Sequence, residues 1–275
     1  MDLRIVGIDW QNDFVDKKGS LCVPGGDMDA HRFAQMVLRL KDKIVGIHAT
    51  MDCHPYNHIA HPPRWINSNG EHPSIADFYK GKPTIITEDN MSNGEWMASS
   101  PLLQKLQEEY VKALRANGRY LLCIWPPHCL IGSWGNNIYP EVFDAFCEWE
   151  NIKPNRQVDY RVKGSNANTE HYSPIMADVP DTSDPSTMLQ TGKGSLIQIT
   201  SDADIVAITG QALSHCLANC VRDIANNFGE ENIKKLWLIE DCSSSVGGFE
   251  QLGTDFVKEM VGRGMNIVKS TEFLK

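Results

Sequence analysis

The sequence predicts an α/β fold: a doubly wound, mostly parallel sheet between two layers of helices. Three observations predict it. Short apolar runs alternate with segments of helical spacing along almost all of the 275 residues. Several of these runs are continuously apolar, as strands covered on both faces are. Asp9, Asp52, His54, His128, Lys163 and Cys216 all stand just past the ends of predicted strands, at the edge where sheets of this kind bind ligands.

Residues 3–9 (LRIVGID) read as a buried strand ending in Asp9. A turn-rich loop follows to Gly26, and Asp27 can cap a helix with Ala30, Phe33, Ala34, Val37 and Leu38 on its apolar face. Residues 44–50 form a second strand running into Asp52-Cys53-His54. From 56 to 117 the pattern is looser, with a short strand at 84–87. A helix then opens at Pro101 and ends at Asn117-Gly118. Residues 120–124 read as a third strand leading to Trp125-Pro126-Pro127-His128. A short helix starts at Pro140, and a strand at 158–162 ends at Lys163-Gly164. Asp184-Pro185 reads as a cap and first helical residue, weakened by Gly192 and Gly194. Residues 205–208 form the strand before the turn and helix that carry Cys216. A strand at 236–240, a helix near 249–261 and a last strand at 266–269 complete the chain. No repeat or strong linker divides it, so a single domain over residues 1–275 is expected.

A net charge of −9 argues against a broad nucleic-acid or anionic-membrane surface. No stretch approaches the roughly 20 apolar residues of a membrane span, and no leader is visible. Eight scattered cysteines without a C-x-x-C pair suit free thiols in a reducing, cytoplasmic setting. The partner expected is a small molecule, with no nucleic acid or membrane, and the chain itself is expected to form a homo-oligomer.

The turn before Cys216 offers chemistry. A thiol in the first turn of a helix meets the positive end of the dipole and free backbone N–H groups, which favour thiolate and can hold an oxyanion. The alternative is an ordinary buried helix cysteine. Asp9 is a plausible base whose pKa burial would raise, and Lys163 could stabilise the thiolate and orient Asp9. Taken singly, these are equally a cap and a surface lysine. Asp52-x-His54 points a carboxylate and an imidazole the same way, and His128 joins from another strand end. With His58 and His61 nearby, the set suits Zn²⁺, Mn²⁺ or Fe²⁺. Alone, Asp-x-His reads as a solvated loop. His48 reads as a polar-network histidine, and His31, His72 and His171 as surface or loop residues.

Together, Gly7-Ile8-Asp9-x-Gln11-Asn12-Asp13-Phe14, Asp52-x-His54-Pro55-x-Asn57-His58, Trp125-Pro126-Pro127-His128-Cys129, Lys163-Gly164 and Ser214-His215-Cys216 give the chain a resemblance. It resembles the nicotinamidase/pyrazinamidase branch of the isochorismatase-like cysteine hydrolases, from Ile5 to about Asp241. The resemblance implies a Rossmann-like three-layer domain and a catalytic triad of Asp9, Lys163 and Cys216. It implies an oxyanion hole from the N–H groups of Ala212 and Cys216, after a cis peptide at Gln211-Ala212. One divalent metal would be held by Asp52, His54 and His128, with His58 a further ligand in some members. Phe14, Trp125, His215 and Tyr172 would line the substrate pocket. The implied reaction is hydrolysis of a small carboxamide to carboxylate and ammonia through a cysteine thioester.

The chain also departs from the pattern. Cys53 stands where the family commonly has tryptophan, HIAHPPRW replaces a segment with a phenylalanine, and insertions are expected around 60–119 and 164–194. These bear on the substrate more than on amide hydrolysis. A relative acting on an N-carbamoyl or ureido compound is therefore one alternative. A metal-binding or thiol redox protein, with Cys220 as resolving thiol, is another.

Overall fold

The computed structural model describes residues Met1–Lys275. Six strands, β1 (Leu3–Ile8), β2 (Ile44–Asp52), β3 (Asp159–Lys163), β4 (Ile205–Gly210), β5 (Leu236–Ile239) and β6 (Asn266–Val268), make one sheet. Its order is β6-β5-β4-β1-β2-β3, with every neighbouring pair parallel. The apolar runs dictate the layering. Along β1, Val6 and Ile8 enter one core, while Leu3 and Ile5 enter a second core on the other face. Helices Gly26–Leu40 and Pro140–Glu150 cover the second face, and helices Cys216–Asn227 and Glu250–Gly262 cover the first. Each fully buried aliphatic side chain adds about 1.5–3 kcal/mol.

This strand order places the reversal between β1 and β4, and a crevice opens beyond their carboxyl ends. Asp9 follows β1, and the turn carrying Gln211-Ala212 follows β4. The two strands approach closely there because Gly210 has no side chain: a Cβ on it would lie 2.1 Å from the Ile8 carbonyl oxygen. Gln211 anchors the turn, donating its N–H to Ile8 at 2.9 Å and its side-chain amide to Asp29 at 2.9 Å. The Gln211-Ala212 peptide is cis.

Three local expectations are corrected. Leu122–Ile124 lies outside the main sheet and pairs antiparallel with Thr84–Ile86, a partner supplied by the looser segment between 56 and 117. Pro185 opens only a single 3-10 turn, Pro185–Thr187. Gly192 (φ 89°) and Gly194 (φ 84°) then take left-handed conformations, and the helix starts afresh at Leu196, capped by the Ser195 side chain. The first long helix is capped by Gly25 rather than Asp27, which falls in its first turn. All eight cysteines are free. No helix is long and apolar enough to cross a membrane.

Candidate active site

Four strand ends converge. Asp9 follows β1, Asp52 closes β2, Lys163 closes β3, and Cys216 begins the helix after β4. Lys163 Nζ lies 2.9 Å from Asp9 Oδ2, 3.0 Å from Asp52 Oδ1 and 3.5 Å from Cys216 Sγ. One Asp9 oxygen, one Asp52 oxygen and the Cys216 sulfur lie within 4.8 Å of one another. Asp9 Oδ1 also accepts from the Thr50 hydroxyl at 2.5 Å.

All four side chains are buried, and their electrostatics follow from that. Burial opposes a charged Lys163, but Asp52, Asp9 and Cys216 outweigh it and hold the amine well above its usual pKa. Burial pushes Asp9 up, against the pull of Lys163. Burial also pushes Asp52 up, yet His54, Lys163 and His128 together hold it well below the usual carboxylate range. The Cys216 thiol is raised, chiefly by burial, with Asp9 and Asp52 adding to it and Lys163 opposing. The direction is opposite to the one expected from the helix terminus alone: burial and the two carboxylates outweigh Lys163.

Cys216 is the first residue of its helix, so its N–H has no acceptor one turn back. The Ala212 N–H likewise donates to no backbone carbonyl. Both residues line a small pocket, together with Phe14, Trp125, Tyr172 and His215. Trp125 Nε1 donates to the Tyr172 hydroxyl at 3.1 Å, and the His215 ring lies 5.1 Å from that of Trp125. A wider depression around Pro24, Ser243 and Glu250 holds none of the converging strand-end groups.

Three histidines meet beside this pocket. Nδ1 of His54, His61 and His128 faces a carbonyl oxygen, of Gly164 at 3.0 Å, Tyr56 at 3.2 Å and Pro126 at 2.8 Å respectively. A carbonyl can only accept, so each Nδ1 carries a proton and each Nε2 is the nitrogen that can offer a lone pair to a cation. The three rings offer ligand atoms within 4.8 Å of one another. Nε2 of His54 and of His61 is buried without a hydrogen-bond partner. Asp52 Oδ2 stands 3.1 Å from His54 Nε2 and 3.6 Å from His128 Nε2. Converging lone pairs beside a carboxylate form a donor set that fits a divalent metal. Gly164 (φ 79°) keeps the cradle open, since a Cβ there would lie 2.7 Å from Asp52 Oδ1.

His58, expected as a further ligand, is turned elsewhere. Its Nε2 faces the Thr169 carbonyl at 3.0 Å and its Nδ1 accepts from Ala60 N–H at 3.3 Å, so both nitrogens are engaged. His61 takes the place facing His54 and His128. His171, read as a surface or loop residue, lies in a loop but is buried, and burial lowers it to about 4. His48 pairs with Asp159 at 2.7 Å. Cys220 is wholly buried and lies outside the pocket. Glu170, in the loop after Lys163, lines the pocket and had no signal in the sequence.

No protein-family model matches the chain, and no curated protein does. Solved structures do. The yeast nicotinamidase bound to the inhibitor nicotinaldehyde is 17% identical with a TM-score of 0.64, over 97% of this chain and 99% of that one. The chain has the nicotinamidase fold. An Acinetobacter baumanii nicotinamidase/pyrazinamidase shares this fold at 19% identity and a TM-score of 0.60, over 99% of this chain and 98% of its own. So does the Pyrococcus horikoshii pyrazinamidase in complex with zinc, at 19% identity and a TM-score of 0.55, over 98% and 99%.

Proposed function

We propose that this protein is a metal-dependent amidohydrolase that converts a small nicotinamide- or pyrazinamide-like carboxamide to the carboxylate and ammonia. The observation that carries the reading is Lys163 between Asp9, at 2.9 Å, and Cys216, at 3.5 Å, at the edge of an aromatic-lined pocket. The nicotinamidase fold of the whole chain supports it, as do neighbours solved with nicotinaldehyde and with nicotinate.

In this reading Asp9 takes the Sγ proton of Cys216 as the substrate carbonyl arrives, and Lys163 stabilises the charges that this creates. Sulfur adds to the carbonyl carbon, and the N–H groups of Ala212 and Cys216 hold the oxyanion. Asp9 returns the proton to the departing nitrogen, and ammonia leaves a thioester on Cys216. Asp9 then takes a proton from water, whose oxygen attacks the thioester. The carboxylate is released and the thiol restored. Phe14, Trp125, Tyr172 and His215 pack the body of the substrate. His54, His61, His128 and Asp52 would hold a zinc, manganese or iron ion, which when bound supplies a Lewis acid for the substrate's ring nitrogen. The histidine cluster favours such a ring over an N-carbamoyl or ureido compound. Eight free thiols fit a reducing, cytoplasmic setting.

The test is ammonia release from nicotinamide and pyrazinamide by the purified, metal-loaded protein, with Cys216→Ala alongside. Release by the wild type alone is expected. Release that survives Cys216→Ala overturns the mechanism, and failure on both amides removes this substrate class.

A further inference from the structure

The reaction above makes no use of Glu170, although it is only 4% exposed and shares the pocket with Asp52, His128 and Cys216. Its backbone is fixed on both sides: its N–H donates to the Tyr110 hydroxyl at 3.0 Å, and its carbonyl accepts from Asp178 N–H at 2.9 Å. The side chain has a single hydrogen bond, to Oε1 from the N–H of His171 at 3.1 Å. No lysine or arginine pairs with it. Burial raises the Glu170 carboxyl above its usual range, so ionising it in this place calls for a compensating positive charge.

The charges around it indicate which one. Asp9, Asp52 and Lys163 leave one net negative charge among the buried strand-end groups. A divalent ion at these histidines would reverse this to one net positive charge among the same groups, which an ionised Glu170 would offset. Yet Glu170 stands outside the group of ligand atoms that His54, His61 and His128 bring together. We propose that Glu170 is a positioning residue of the metal centre, an outer carboxylate that balances the charge of the bound cation without ligating it. This rests on the metal-dependent reading above. Partners of this kind commonly change metal affinity 10- to 100-fold.

The test uses the full-length protein, stripped with a chelator and titrated with Zn²⁺ against a competing chelator. A second titration with Co²⁺ follows its visible absorption bands. Glu170→Gln keeps the shape and removes the charge, and Glu170→Asp keeps the charge. Zn²⁺ affinity is expected to fall about 10- to 100-fold in Glu170→Gln and clearly less in Glu170→Asp, with Co²⁺ bands like those of the wild type in both. Glu170→Asn replaces the Gln variant if melting without metal shows that the latter does not fold. Equal affinity in wild type and charge-removed variant overturns the proposal, as does an Asp variant no tighter than the neutral one. Shifted Co²⁺ bands in the neutral variant would make Glu170 a direct ligand and also overturn it. A wild type that binds neither metal overturns the metal-dependent reading itself, an outcome distinct from the others.

Discussion

Lys163 Nζ lies 2.9 Å from Asp9 Oδ2, and neither side chain reaches solvent. The same ammonium lies 3.0 Å from Asp52 Oδ1, so one cation serves both the carboxylate beside the thiol and the carboxylate beside the histidines. β3 is the edge strand of the sheet, yet its last residue turns inward to the centre of the site.

Removing that cation leaves two carboxylates buried together. Lys163→Met is expected to lower the unfolding free energy by about 3–5 kcal/mol, the range for breaking a buried ion pair by deleting one partner. Urea unfolding at neutral pH measures it. A loss under 1 kcal/mol would mean that the carboxylates are not ionised together in the folded protein.

The two neighbouring histidines separate cleanly. His61→Ala removes a free Nε2 from the cluster and is expected to weaken Zn²⁺ binding at least tenfold. His58→Ala removes hydrogen bonds to Thr169 and Ala60 and is expected to lower the melting temperature while leaving one bound zinc per chain. Metal analysis after dialysis, beside thermal melting, distinguishes them. The reverse pattern would restore His58 as the ligand.

His215 is buried, and burial lowers it to about 3. A histidine held neutral in the fold stabilises it fully above its unfolded pKa, near 6.5, and that stability is lost as pH falls toward the folded value. Each unit of difference is worth about 1.4 kcal/mol. Unfolding free energy measured without metal is therefore expected to fall between pH 6.5 and 4, and to fall less steeply in His215→Phe. Equal slopes for the two proteins would remove His215 as a source of acid lability.

Much of this arrangement is legible in the chain. Asp9, Asp52 and Lys163 each close or follow a segment that reads as a strand, and the parallel sheet brings those strand ends to one edge. What stays hidden depends on distant partners. Whether His58 or His61 faces the cluster is decided by which backbone groups their ring nitrogens meet, and Thr169 comes from another loop. Glu170 sits where no periodicity marks a direction. The helix start at Cys216 is visible in the turn before it, but the direction of its pKa depends on burial and two carboxylates from other strands. The 122–124 run looks like any core strand, and only its antiparallel partner at 84–86 takes it out of the sheet.

The central claim is that Cys216 carries the acyl group. Acid quenching of the metal-loaded protein during turnover of nicotinamide, followed by peptide mass analysis, tests it most directly. The account predicts a nicotinoyl mass on the Cys216 peptide that disappears when substrate is exhausted and is absent in Cys216→Ala. Continued ammonia release with no acyl mass on Cys216, or with that mass on another residue, would contradict it.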